Sequence, residues 1–275
     1  MRKILRSIFI LAITSIILVG CNSKEDVPKD QEVPSGQGVT SSDQTSVGDG
    51  EELYSFRAEV IESGASLLIT PSEESNEARS SDKISVHLTN TMLVDEAGTT
   101  ISTEDLIAGD ILVITYNGLI AESYPAQITA TKVEKVDHNK LFDGYLALID
   151  DIFQEDKGLN YDIKMIALDT SEWIKLSSIE KEMIFAKVKA TYGLEVIEGT
   201  YEELAEQGLI NQESLSFTDG VLIKISKITY DERKERLTCA TSKWRGGDGA
   251  IGADDVTAVL RNGTWEITKE GNWIS

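Results

Sequence analysis

Two Asn-Gly pairs constrain this chain more than any other local signal. Asn117-Gly118 sits between the apolar runs 110–116 and 119–124, and Asn262-Gly263 between 256–260 and 264–268. A two-residue loop of this kind needs positive φ at both positions, which Asn and Gly tolerate, and its twist matches that of paired strands. Both pairs therefore predict type I′ hairpins, and with them a chain built largely of antiparallel strands.

The strand pattern fills 51–138. Ser55–Ile61 and Ser66–Ile69 read as short strands. In 83–88 the residues Ile84, Val86 and Leu88 share one face, with Ser85 and His87 on the other. Ser102 and Asp105 have the spacing of a helix N-cap, with Gly109 to end the turn. A last strand is expected from about Ile128 to Val136. Five or so short strands with one helical turn suit a small closed barrel of the OB type.

The pattern changes at 139. Tyr145, Leu148, Ile149, Ile152 and Phe153 follow the spacing of an amphipathic helix. Leu159, Tyr161, Ile163 and Met165 alternate as a strand would. Ser177/Glu180 and Thr200/Glu203 are capping boxes opening two further helices, stopped by Gly193 and Gly208. From Gly220 the pattern is β to the end, including 237–244. Helices followed by a run of antiparallel strands predict an α+β domain over 139–275.

Ahead of both blocks, Arg2, Lys3 and Arg6 precede an apolar run from Ile8 to Leu18 and then Leu18-Val19-Gly20-Cys21, a bacterial lipobox. The run is too short to span a bilayer, so 1–20 reads as a signal peptide and Cys21 as the lipidated N-terminus. Residues 21–50 read as a disordered tether reaching about 30 Å, since 22–50 holds only four apolar residues, all valine. The expected address is the outer face of the cytoplasmic membrane, with lipid on Cys21 as the membrane contact.

Net charge is −21. That balance argues against nucleic acid as a partner, as does the barrel block, with five basic against sixteen acidic residues. Cys239 has no disulfide partner once Cys21 is lipidated and reads as a buried small hydrophobe. His87 and His138 have no metal-type spacing, and Asp248, Asp254 and Asp255 do not fit a Ca²⁺ loop. Gly247-Asp248-Gly249-Ala250-Ile251-Gly252 matches G-x-G-x-x-G, but a strand pattern follows it where a dinucleotide site needs a helix. It is expected to join two strands. No cofactor or metal is expected.

The stretch 121–127, Ala-Glu-Ser-Tyr-Pro-Ala-Gln, together with 81–86, Ser-Asp-Lys-Ile-Ser-Val, resembles the YobA-like domain of unknown function in Bacillus-type lipoproteins. The resemblance covers about 85 residues, implies an OB-like barrel, and implies no activity. The second block looks like the NTF2-like or cystatin-like group, which hosts many functions. Candidate ligand contacts are Trp244 and Arg245 at a strand end, Tyr161, and Glu122 and Tyr124 before Pro125. Asp150-Asp151 and Glu202-Glu203 read as solvated charge. The function expected is non-enzymatic: a Gram-positive lipoprotein module that binds a small molecule, peptide or envelope protein. A cell-wall-directed hydrolase using carboxylates, or a purely structural lipoprotein, are the alternatives. A cleft holding pKa-shifted carboxylates would favour the hydrolase.

Overall fold

The computed structural model describes residues 52–275. The signal segment, Cys21 and the tether lie outside the described residues. Strand makes up 46% and helix 21%, so the chain is mostly β.

The N-terminal part contains β1 (Tyr54–Ser63), β2 (Leu67–Pro71), β3 (Ile84–His87), β4 (Met92–Asp95), β5 (Asp110–Tyr116) and β6 (Ala126–His138). Five of them close into a barrel in the order β1-β2-β3-β6-β5, with β5 returning to β1. The closing pair, β3 with β6, is parallel, and β4 adds in parallel further along β6. This is an OB-like barrel. Its interior is filled from alternate positions, including Val60, Leu67, Ile69, Ile84, Val86, Leu112, Ile114 and Val133. Ser102 and Asp105 cap each other as expected, around a 3₁₀ turn at Thr103–Asp105.

The hairpin expected at Asn117-Gly118 does not form. Gly118 has φ +80°, but Asn117 keeps a negative φ, and 117–125 runs as a loop. Tyr116 pairs with Ala130 instead. The cause is barrel closure. Residues 126–129 run beyond the end of β5 to pair with β3. A two-residue turn would lay 119–124 along β5 and leave β3 without its closing partner.

The C-terminal part runs α1 (Lys140–Gln154), β7 (Met165–Asp169), α2 (Ser178–Tyr192), β8 (Glu195–Glu198), α3 (Tyr201–Glu206), β9 (Gly220–Asp231), β10 (Arg236–Gly246), β11 (Gly249–Arg261) and β12 (Thr264–Ile274). They form a six-stranded sheet ordered β12-β11-β10-β9-β7-β8. The last four strands are an antiparallel meander, while β7 runs parallel to both β8 and β9. The sheet is therefore mixed, because β7 and β8 alternate with helices instead of following them. Here Asn262 and Gly263 do both take positive φ, 51° and 77°, and turn β11 into β12 as the sequence predicts.

The apolar stripe of α1 packs on one face of this sheet with Ile179, Met183, Ile184 and Val188 of α2. On the opposite face, Leu204 of α3 packs with Ile210, Phe217 and Leu222. Cys239 is buried in the first of these cores. The strand expected over 159–165 starts only at Met165. Lys157–Asn160 is a 3₁₀ turn, and Asp162 has φ 56°. Two cations from β10 hold that loop. Arg245 Nη1 donates to the carbonyls of Leu159 and Tyr161, and Lys243 Nζ donates to that of Asp156.

Candidate functional site

Strand β1 alternates, with Phe56, Ala58 and Val60 in the barrel and Arg57 and Glu59 pointing out. Glu59 lies opposite Thr70 of β2. Facing them is the capped start of α2, where Ser177 Oγ accepts from the Glu180 amide at 3.1 Å and Glu180 Oε2 accepts from the Ser177 amide at 2.6 Å. Between the two surfaces is a cavity of about 550 Å³, lined by Arg57, Glu59, Glu73, Lys175, Ser177 and Glu180 among others.

Asn139, the N-cap of α1, joins two of these lining residues. Its Oδ1 accepts from the Phe142 amide at 3.1 Å. Its Nδ2 donates to Glu180 Oε1 at 2.6 Å and to both oxygens of Glu59 at 3.2 and 3.3 Å. Two carboxylates thus share one neutral donor. Burial, then the charge of Glu180, push Glu59 up to about 8, against the opposing pull of Asn139 and His138. At neutral pH Glu59 carries its proton.

Next to this group, His138 is held by carboxylates on both sides. Its Nδ1 lies 2.8 Å from Asp110 Oδ1 and its Nε2 lies 2.8 Å from Asp143 Oδ2. These hydrogen bonds raise it to about 9. With both nitrogens donating, the ring has no lone pair with which to act as a base. Its role is to join the start of β5 and the end of β6 to the first turn of α1.

The candidates read from sequence fall elsewhere. Trp244 is half-buried, with its ring 5.1 Å from Tyr201 in an edge-to-face contact. Arg245, the next residue on the strand, points to the other face. Its guanidinium is taken up by three backbone carbonyls, those of Leu159, Tyr161 and Thr218. The pair therefore does not form one pocket mouth, and Arg245 meets the Tyr161 backbone while the Tyr161 side chain is exposed. Glu122 and Tyr124 are exposed on the 117–125 loop. Glu122 lines a second cavity of about 550 Å³, with Arg79, Ser80, Ile120, Ser123 and Ala126. None of the five reaches the Glu59 cleft.

Three smaller expectations are met, at His87, at Cys239 and in the glycine-rich segment. His87 is on the exposed side of β3 and bonds Gln127 at 3.1 Å. Burial pushes the Cys239 thiol up to about 12. The glycine-rich segment is a strand connection, with β10 ending at Gly246 and β11 starting at Gly249, so no helix N-terminus lies there. Asp151 and Glu203 are not simply solvated. Asp151 pairs with Lys269 at 2.6 Å, and Glu203 caps α3. Among the described residues no group of three His, Cys, Asp or Glu side chains is placed to hold a metal, and no helix is long and apolar enough to cross a membrane.

Sequence reasoning finds Glu180 only as a capping residue and misses Glu59 and Asn139. The one local signal is Asn139 at the edge of the apolar helix pattern. Glu59 meets Glu180 across 121 positions of chain. No protein-family model matches the chain, and no curated protein is detectably similar to it.

Proposed function

We propose that the chain is a lipid-anchored, non-enzymatic binding module. Lipid on Cys21 holds it at the outer face of the cytoplasmic membrane of a Gram-positive type bacterium, and the tether carries the folded part clear of the headgroups. The barrel belongs with the YobA-like domains. The second part is read as a separate α+β domain of the NTF2-like or cystatin-like kind. The ligand, a small molecule or peptide of the envelope, sits in the Glu59 cleft.

The observation that carries this reading is the cleft itself: a cavity whose lining sets Arg57, Glu59 and Glu180 beside Pro71, Ile111 and Leu176. Two measurements test it. Cys21→Ser is expected to move the protein from the detergent phase to the aqueous phase in fractionated cells, and unchanged partitioning removes the anchor. For the ligand, ¹⁵N-labelled full-length protein in detergent micelles is titrated with a mixed library of small polar fragments and short peptides. Saturable shifts at Thr70, Ser72 and Ser177 support the cleft. A library that leaves those amides unmoved removes it.

One observation favours a second reading. Glu59 is protonated at neutral pH beside Glu180, and a proton donor next to a second carboxylate is the equipment of a glycoside hydrolase. In that case Glu59 is the acid acting on cell-wall glycan. Release of reducing ends from purified cell wall, lost in Glu59→Gln, would establish it.

A further inference from the structure

We infer that the Glu59 cleft takes a zwitterion: an amino acid or short peptide with both termini free, its ammonium between Glu59 and Glu180 and its carboxylate on Arg57. The inference rests on the ligand-binding reading of that cleft and names the chemistry of its occupant.

Charges of both signs line one cavity, and they are separated within it. Glu59 and Glu180 share the single amide of Asn139 and form no ion pair among the described residues. A cation placed there replaces the proton that Glu59 otherwise carries at neutral pH and is shared by both acids. An ammonium has three N–H donors, enough for both acids while Asn139 keeps its own bonds.

Arg57 lies two residues along β1 from Glu59, on the same outward face, about 7 Å away along the strand. Its guanidinium makes no ion pair among the described residues, although Glu59 and Glu73 line the same cavity. A free guanidinium fork matches a carboxylate with two parallel hydrogen bonds. Lys175, the other cation of the wall, is held by Glu232 at 2.5 Å and supplies background charge only.

The alternatives fit less well. A simple anion would meet the carboxylates of Glu73 and Glu180 and a protein of net charge −21. A simple cation would pass Arg57 and Lys175 and leave the Arg57 fork unused. A neutral sugar would leave the Arg57 fork without a carboxylate. A molecule charged at both ends answers both ends of the cleft, and the acidic protein draws its ammonium end inward. The volume admits a dipeptide with room for side chains.

The test uses ¹⁵N-labelled full-length protein in detergent micelles and three probes: Ala-Ala, N-acetyl-Ala-Ala and Ala-Ala amide. Ala-Ala is expected to shift the amides of Thr70, Ser72 and Ser177 saturably. Blocking either end should weaken binding about tenfold. Arg57→Gln should bind Ala-Ala and its amide alike, and Glu59→Gln should lose its preference over the acetylated peptide. Equal binding of all three probes at the cleft overturns the charge assignment but leaves a ligand cleft standing. If Ala-Ala moves no cleft amide while a library compound does, the zwitterion is wrong and the cleft is right. If neither moves them, both fail.

Discussion

Asp110 Oδ1 lies 2.8 Å from His138 Nδ1, and the far nitrogen of the same ring lies 2.8 Å from Asp143. Asp110 is fully buried and also accepts from Lys135 at 2.8 Å and from the Ile107 amide at 2.8 Å. The imidazolium therefore ties the barrel to the first turn of α1 through charge-assisted bonds.

The sign of its pH dependence follows from its shift. His138 is raised from 6.5 to about 9, so between those values the folded chain holds a proton that the unfolded chain has released. Its stabilisation is complete below the unfolded value and is lost as pH rises through the folded one. His138→Gln is expected to cost about 2 kcal/mol below about pH 6.5, the gap narrowing between about pH 6.5 and 9 and largely gone above that. Urea midpoints across that range decide it, and a constant gap would show that the ring acts by packing alone.

Glu59 predicts the opposite kind of variant. Its acid is raised from 4.5 to about 8, so its contribution is present below 4.5 and is lost as pH rises through 8. Above that point the wild type carries two adjacent carboxylates. Glu59→Gln should be close to wild type in stability at about pH 5 and more stable by about 3 kcal/mol at about pH 9. Thermal unfolding at the two pH values is the measurement. A variant less stable at both would mean that Glu59 is held ionised by a partner.

What was legible in the sequence is what depends on neighbours in the chain. The buried stripe of α1, the capping boxes of α2 and α3, the alternation of β3 and the turn at Asn262-Gly263 are set within a few residues of themselves. What was hidden depends on distant pairing. Asn117-Gly118 has the same local chemistry as Asn262-Gly263, yet the need of β3 for β6 overrides it. Residues 159–163 alternate like a strand, but Arg245 takes the carbonyls of Leu159 and Tyr161 and Lys243 takes the side-chain oxygen of Asn160. Val196 and Ile197 in β8 are too short a run to read as a strand. Trp244 and Arg245 are adjacent in sequence and for that reason face opposite ways, whereas Glu59, Asn139 and Glu180 converge from three elements.

Lys243 gives a strong stability prediction. It is fully buried, and its Nζ donates to the carbonyls of Phe153, Glu155 and Asp156 and to Asn160 Oδ1. Two of these are among the last carbonyls after α1, which lack partners within the helix. Lys243→Met keeps the stem and removes the donor. It should cost about 3 kcal/mol and speed amide exchange in the last turn of α1 and in 156–160. A loss of stability without faster exchange there would place the effect in packing.

Gly252 and Trp273 make the last prediction. They are opposite each other in the β11–β12 pairing, and the indole lies across the glycine. A Cβ on Gly252 would fall 2.4 Å from Trp273 Cζ2 and 2.7 Å from the Thr241 carbonyl oxygen. Ring and methyl group cannot share that space, so the edge strand must shift or the ring must leave. Gly252→Ala should cost about 2 kcal/mol and shift tryptophan emission to the red as Trp273 enters water. Trp273→Ala tests the cause, since the ring's share of the clash goes with it. In that background Gly252→Ala should cost less, but not nothing, because the Thr241 oxygen belongs to β10 and stays where it is. An unchanged cost would assign the whole effect to that backbone contact and none to the indole.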